Sequence, residues 1–281
     1  MVRWKLNPLC EQKPSDCYAG EGMKRPQSIT SRPVALVTGG AVRIGRAITE
    51  RLAAEGYAVA IHVRERNEAA YAFASRINDS GGRAELIEGD LANHSVVETL
   101  VKQASAKLGA VTLLVNNASK FDADDAISLE QALWDEHFAI NLRGPAFLTR
   151  DMARQLPSGC FGAVVNVIDQ RVWKLTPQFA SYTLTKAALW AATKTFAQAL
   201  APRIRVNAVG PGPTLSNIRQ SADDFARQSE PVPLGRGSSP DQVAETVAYL
   251  ARAESITGQM IAVDGGQHLA WQTPDVIGIS E

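Results

Sequence analysis

Val34-Ala-Leu-Val-Thr38-Gly-Gly-Ala-Val-Arg-Ile-Gly45 is the stretch on which the reading of the fold turns. Four apolar residues in succession, a glycine-bearing turn and then an amphipathic run over 46–55 give a buried strand, a tight connection and a helix. The same alternation continues outward along the chain. Further apolar runs at 58–63, 84–88, 111–115, 163–167, 205–209 and 260–263 read as strands, and 34–37 is the first of them. Helical periodicity occupies 68–78, 94–108, 129–155, 181–200 and 240–253. Strands that are apolar on every residue, separated by crossover-length helices, pair in parallel with both sheet faces covered. The expected fold class is α/β, a Rossmann-type doubly wound parallel sheet of about seven strands.

One such domain accounts for 33–281. Residues 1–32 mix proline, serine and charge without periodicity and are expected to form a loosely ordered extension, with Met23 as an alternative start. The segment 216–234 breaks the rhythm, with Pro231 and Pro233 closing it, so a substrate flap is expected near 213–234. Lys+Arg 29 against Asp+Glu 29 leaves no net charge, which argues against nucleic-acid or anionic-membrane partners. Cys10, Cys17 and Cys160 offer neither metal spacing nor a disulfide framework, so no metal is expected and a reducing, cytoplasmic setting fits.

Gly39, Arg43, Ile44 and Gly45 lie at the first strand–helix junction. Glycines there let the backbone approach a pyrophosphate, and the helix N-terminus supplies N–H groups and positive dipole. A tight connection without a ligand is the alternative, but the βαβ setting favours dinucleotide binding. An acid that would hold a ribose 2′-hydroxyl is missing at the end of the second strand, where Val63 and Arg64 stand. Arg64, with Arg43, would accept a 2′-phosphate instead, which points to NADPH. Solvated loop charge, partly cancelled by Glu65, is the competing account of Arg64 and Arg66. Asp90 reads either as a ligand to the adenine ring or as a helix N-cap.

Tyr182 and Lys186 stand four apart, on one helix face. An ammonium beside a phenol is expected to lower the tyrosine pKa and make it a proton donor near neutral pH. Asn141 precedes Pro145 by four, so its carbonyl is left unbonded at a kink.

Taken in order, Thr38-Gly-x3-Arg-x-Gly45, Asp90-Leu91, Asn116-Asn117-Ala118, Asn141, Tyr182-x3-Lys186, Pro211-Gly212 and Val263-Asp-Gly-Gly266 resemble the short-chain dehydrogenases/reductases. The resemblance covers roughly 32–269. It implies a cofactor site from Gly39, Arg43, Ile44, Gly45, Arg64, Asp90, Leu91, Asn117, Ala118, Ser119, Tyr182, Lys186, Pro211 and Gly212. It also implies a water held by Asn141 that leads to Lys186.

The ordinary family has serine thirteen residues before the tyrosine; here that position is Asp169. An ionised carboxylate accepts hydrogen bonds and cannot polarise a ketone, whereas a protonated one can pass a proton to a ring nitrogen. Arg43 in the glycine-rich loop, Asp169, and Ser119 with Phe121 after Asn117-Ala118 resemble the pteridine-reductase branch. That implies Phe121 stacking a pterin, with Ser119, Asp169, Tyr182 and Pro213 around it. Its bacterial members reduce dihydromonapterin and dihydrofolate. The expectation is an NADPH-dependent reductase of a dihydropterin or dihydrofolate. A carbonyl or acyl-thioester reductase and a catalytically silent NADPH-binding module are the competing readings. Helices 129–155 and 181–200 carry apolar residues beyond one face, and the family implies a homotetramer built through them.

Overall fold

Each of the apolar runs becomes a strand, and the intervening helices force every pairing to be parallel. The computed structural model describes residues 32–215, 223, 227 and 230–271. Its strands are β1 (Val34–Thr38), β2 (Ala58–Val63), β3 (Arg83–Glu88), β4 (Val111–Asn116), β5 (Gly162–Val167), β6 (Ile204–Pro211) and β7 (Met260–Val263). They make one seven-stranded sheet in the order β3-β2-β1-β4-β5-β6-β7, parallel throughout. The helices are α1 (Arg43–Ala54), α2 (Glu68–Asp79), α3 (His94–Leu108), α4 (Gln131–Phe138), α5 (Gly144–Gln155), α6 (Ala180–Leu200) and α7 (Pro240–Arg252). The strand order reverses between β1 and β4, and in such sheets the crevice beyond that point is where ligands sit.

Adjacent residues of a strand point to opposite faces, so a strand covered on both sides must be apolar throughout. Val37 and Ile61 pack with Ile48, Leu52 and Val247 on the α1, α2 and α7 side. Leu36 and Leu114 pack with Leu100, Leu148 and Met152 on the α3, α5 and α6 side. Complete burial of each such side chain stabilises the fold by about 1.5–3 kcal/mol. β3 departs from the expectation of apolar residues throughout. It is an edge strand with Arg83 and Glu88 exposed, because one side of it meets no neighbour.

Two helices differ from their sequence readings. α1 begins at Arg43 rather than 46, although Arg43 has φ +53°, the left-handed region glycine normally fills. The expected helix over 129–155 is two helices, α4 and α5, joined by a π-helical turn at Ala139–Arg143. The amide of Gly144 reaches back five residues to Ala139 O, and Pro145 has no amide to restore the α pattern.

The segment 1–31, most of 216–229 and 272–281 lie outside the described residues, and with them the expected extension and most of the flap. The described end of the flap folds back: Val232 is buried, and the Leu234 amide donates to Gly265 O at 3.0 Å. Among the described residues no helix is long and apolar enough to cross a membrane, and no cluster of His, Cys, Asp or Glu could hold a metal.

Candidate active site

The C-terminal ends of β1, β4, β5 and β6 bring the singled-out residues to one edge of the sheet. Thr38 closes β1, and its hydroxyl donates to Val115 O at 3.3 Å while accepting the amides of Asn117 (2.9 Å) and Ala118 (3.0 Å). Asn117 Nδ2 in turn donates to the carbonyls of Thr38 (2.9 Å) and Gly39 (3.3 Å). The side chain of Asn117 therefore braces the glycine-rich loop against the end of β4. At Gly45 a Cβ would stand 2.1 Å from Gly39 O, so only glycine lets α1 start this close to the loop.

His62, which the sequence reading passed over, holds the other side of that loop. Its Nδ1 lies 3.3 Å from the Gly39 amide and its Nε2 2.9 Å from Gly89 O. An amide only donates and a carbonyl only accepts, so Nδ1 carries the lone pair and Nε2 the proton. Burial pushes the His62 pKa down to about 4, against partial support for the cation from Gly89 O and Asp90. The unfolded chain thus binds more protons between pH 6.5 and 4, and stability rises with pH across that window. The contribution is complete above pH 6.5, and about 3 kcal/mol of it is lost as pH falls to 4. Urea midpoints measured across this range are expected to drop accordingly in the wild type. In His62→Asn, whose Oδ1 can still accept from Gly39, this component is expected to vanish; equal slopes would rule the assignment out.

The first turn of α1 receives no side-chain cap, unlike α2, α3 and α7, which are capped by Asn67, Asn93 and Ser239. Uncapped amides at a helix N-terminus beside glycines fit a phosphate, so the residues present suit a dinucleotide. Arg43 donates from its guanidinium to Leu215 O at 3.2 Å, reaching across to the segment after β6. Arg64 pairs with Asp90 at 3.1 Å and Arg66 with Glu88 at 3.4 Å, so Glu65 is not the residue that balances them. Asp90 is not the N-cap of α3 either; that is Asn93, while Asp90 Oδ1 accepts the Ala92 amide at 2.8 Å. Leu91 is buried among the core residues. Ile44 is partly buried against the core. Pro211 ends β6, the Gly212 amide donates to Val263 O at 3.0 Å, and Pro213 is buried beside them.

The chemical end is built on β5 and α6. Tyr182 donates its hydroxyl to Asp169 Oδ2 at 3.0 Å, and Asp169 Oδ1 accepts the Arg171 amide at 2.8 Å. Lys186, buried, donates to Val167 O at 2.9 Å, with Nζ 5.6 Å from the Tyr182 ring centre. Burial lowers the Lys186 pKa to about 8, opposed by the nearby Asp169 carboxylate. Burial raises the Asp169 pKa, against the Arg171 amide, the Arg171 charge, Tyr182 and Lys186.

The expected fall in the tyrosine pKa is not what the structure gives. Burial first, and then the Asp169 carboxylate, push Tyr182 well above its usual 10. The phenol bonds to the acid rather than to the ammonium, and this keeps Tyr182 protonated as a donor.

Asn141 sits in the π-helical turn, where its side chain ties the strand-end loop down. Its Oδ1 accepts Ser119 Oγ (3.1 Å) and the Lys120 amide (2.8 Å); its Nδ2 donates to Lys120 O (2.9 Å) and Thr185 Oγ1 (3.2 Å). Phe121 stacks on Phe179, with ring centres 4.2 Å apart and planes at 12°, and meets Tyr182 edge-on at 4.6 Å. The Arg171 guanidinium lies 5.2 Å from the Phe179 ring centre and 6.0 Å from that of Phe121. Neither Phe179 nor Arg171 was marked by the sequence, since only the fold carries them to Phe121. The one available signal was an aromatic residue three positions before the tyrosine.

A family model described as enoyl-(acyl carrier protein) reductase matches residues 40–268. The 3-oxoacyl-[acyl-carrier-protein] reductase of Staphylococcus epidermidis is 35% identical over 240 residues, covering 84% of this chain and 98% of that protein. An uncharacterized oxidoreductase of Bacillus subtilis is 34% identical, covering 85% and 98%. Among solved structures, FolM alternative dihydrofolate reductase 1 of Brucella canis, complexed with NADP, is similar with a TM-score of 0.85 at 56% identity. It covers 88% of this chain and 98% of that one. The Brucella suis counterpart, also with NADP, gives 0.84 and 57%, covering 87% and 98%.

Proposed function

This chain belongs to the short-chain dehydrogenase/reductase family, and from that premise we propose that it is an NADPH-dependent reductase of a dihydropterin or dihydrofolate. The observation that carries the reading is the Asp169–Tyr182 hydrogen bond beside the Phe121–Phe179 stack. The similarity to the Brucella alternative dihydrofolate reductases at 56% and 57% identity supports it.

Gly39, Ile44, Gly45 and the first amides of α1 would hold the dinucleotide phosphates, with Asn117, Ala118 and Ser119 along the β4 end and Pro211-Gly212 after β6. Arg43 and Arg64 would take the 2′-phosphate, and Asp90 the adenine edge. When bound, the reduced nicotinamide supplies a hydride, here to the C6 position of the pterin. The remaining work falls to the chain. A flat heterocycle joins the aromatic group around Phe121, near Ser119 and Pro213, because stacked rings favour such a partner. Tyr182 delivers a proton to N5; Asp169, which accepts the phenol's hydrogen bond and whose pKa burial raises, then takes up a proton from solvent and hands it to the phenolate. Lys186 holds a positive charge below the tyrosine and Asn141 fixes the loop that carries Ser119 and Phe121.

Arg43 tests the cofactor assignment. Its φ of +53° costs an L-residue about 1–2 kcal/mol, so Arg43→Gly is expected to leave thermal stability intact or raised. The same change should raise KM for NADPH about tenfold or more while leaving NADH little changed, since only the former carries the extra phosphate. A uniform effect on both cofactors would count against the assignment.

A second reading, a reductase of 3-oxoacyl thioesters, draws on the 35% identity to the staphylococcal enzyme. Asp169 is what weighs against it, because a carboxylate cannot donate to a ketone oxygen as a hydroxyl does. Steady-state NADPH oxidation with dihydrobiopterin, dihydrofolate and an acetoacetyl thioester separates the two. A homotetramer is part of the proposal, with α4, α5 and α6 as its contact helices; a monomeric mass by light scattering would end that part.

A further inference from the structure

Behind Tyr182 lies a buried Asp124–Ser181–His137 trio that the reduction chemistry leaves unused. Its composition is that of a hydrolytic triad, but its hydrogens run the wrong way for one. The Asp122 amide points at His137 Nε2 from 3.2 Å, and an amide can only donate, so Nε2 holds the lone pair. The proton of the neutral ring is then on Nδ1, 2.6 Å from Ser181 Oγ, which accepts it. Ser181 donates its own hydroxyl hydrogen bond to Asp124 Oδ2. A serine that receives from histidine is not activated by it.

What the trio does is hold two pieces of the active site in register. Asp124 lies three residues beyond Phe121 in the loop after β4, and Ser181 immediately precedes Tyr182. Phe179 occupies the N-cap of α6 and gives it no side-chain cap. Asp124 supplies the cap from another part of the chain. Its main-chain carbonyl accepts the amides of Phe179 (2.7 Å) and Ala180 (3.4 Å), and its carboxylate accepts the Ser181 amide at 3.2 and 3.3 Å. His137, from α4, ties the same loop through Asp122 and the same helix through Ser181.

We propose that this trio is a latch that positions Tyr182 against the Phe121 loop, and that it is closed only while His137 is neutral. A second proton on the ring would set Nε2–H against the Asp122 amide, donor against donor, and that bond would be lost. Asp124, Asp122 and Lys120 face His137 from the loop, Ser181 and the Tyr182 ring from α6, and Glu136 from its own helix. Burial holds the His137 pKa below its usual 6.5, opposed by those three carboxylates and helped by Lys120. The latch is therefore closed at neutral pH and opens on the acid side of 6.5.

The proposal rests on Tyr182 being the proton donor, but its first test does not depend on the substrate. Amide hydrogen exchange at Phe179, Ala180 and Ser181 is measured in the full chain at pH 7.5 and 5.0, corrected for intrinsic rates. Wild type is expected to lose protection at least tenfold at the lower pH. His137→Asn, whose Nδ2 can stand where Nδ1 donates to Ser181, should keep its protection at both. Ser181→Ala should exchange at least tenfold faster than wild type already at pH 7.5. The second readout is kcat with saturating NADPH and dihydrobiopterin. Ser181→Ala should lower it about tenfold while KM for NADPH stays within twofold, and the loss of rate below pH 6.5 should be smaller in His137→Asn. Equal pH response of wild type and His137→Asn, or wild-type protection in Ser181→Ala, overturns the latch. If His137→Asn does not fold, nitrogen shifts of the wild-type ring decide, since a neutral ring protonated on Nε2 contradicts the assigned direction. If exchange behaves as expected but no pterin turns over, the latch stands and the substrate reading falls.

Discussion

Tyr182→Phe is expected to lower kcat for dihydropterin reduction by about 10²–10⁴, the range that a positioned proton donor supplies. The change removes one oxygen and leaves the ring, so the edge-on contact with Phe121 and the packing of α6 remain. The Kd for NADPH, read by fluorescence, should stay within a few-fold of wild type. Thermal stability should not fall much, because the phenol's hydrogen-bond partner, Asp169, carries a pKa raised by burial and can take a proton in its absence. A loss of turnover accompanied by a loss of cofactor binding would mean that the side chain acts by holding the dinucleotide, and a loss below tenfold would remove Tyr182 from the chemistry.

Asp169→Ser is the second large effect, and its sign differs between substrates. Serine can still accept the Arg171 amide, so the short helix at Gln170–Val172 keeps its cap. What disappears is a buried acid beside the tyrosine. Without that carboxylate the Tyr182 pKa falls back toward its ordinary value, since Asp169 is the second cause holding it up. Reduction of a dihydropterin should drop by about 10² or more, the lower end for loss of an acid–base partner. Reduction of an acetoacetyl thioester should rise from its wild-type level, because a hydroxyl at 169 can donate to a ketone oxygen. Equal changes in both activities would show that Asp169 supports the fold of the site and does not select the substrate.

The sheet was legible because its central strands are buried on both faces and have no room for polar residues. Leu36, Val37, Leu113 and Leu114 announce themselves without any partner. Strand ends were read short, as at Thr38 and Asn116, because the last residue there is polar for the sake of the site. The kink between α4 and α5 was legible from Asn141 and Pro145, but not its π-helical form, since such a turn adds one residue without interrupting the apolar stripe. Tyr182 and Lys186 were found by spacing, and Asn141 and Asp169 through the family resemblance. The structure sets Asp169, Tyr182 and Lys186 together where β5 meets α6, and Asn141 in the π-helical turn against the loop of Ser119 and Lys120. Spacing could not find how their charges act on one another. An ammonium four residues away suggested a lowered tyrosine pKa, but the fold turns the phenol toward a carboxylate seventeen residues before that lysine. Phe179, Arg171, His137 and His62 depend on contacts that no local pattern records. Besides the place of Phe179 three residues before the tyrosine, His62 left a trace as the one polar residue in the fully buried β2, and a buried polar group needs a partner.

The central claim is that an acid paired with Tyr182 fits this site to a ring nitrogen rather than to a ketone. It is tested most directly by NADPH oxidation with purified protein, comparing kcat/KM for dihydrobiopterin and dihydrofolate with that for an acetoacetyl thioester. At least one of the two pterin-type substrates is expected to exceed the thioester by a factor of 100 or more. Faster turnover of the thioester, or no turnover of either pterin-type compound, would contradict the claim.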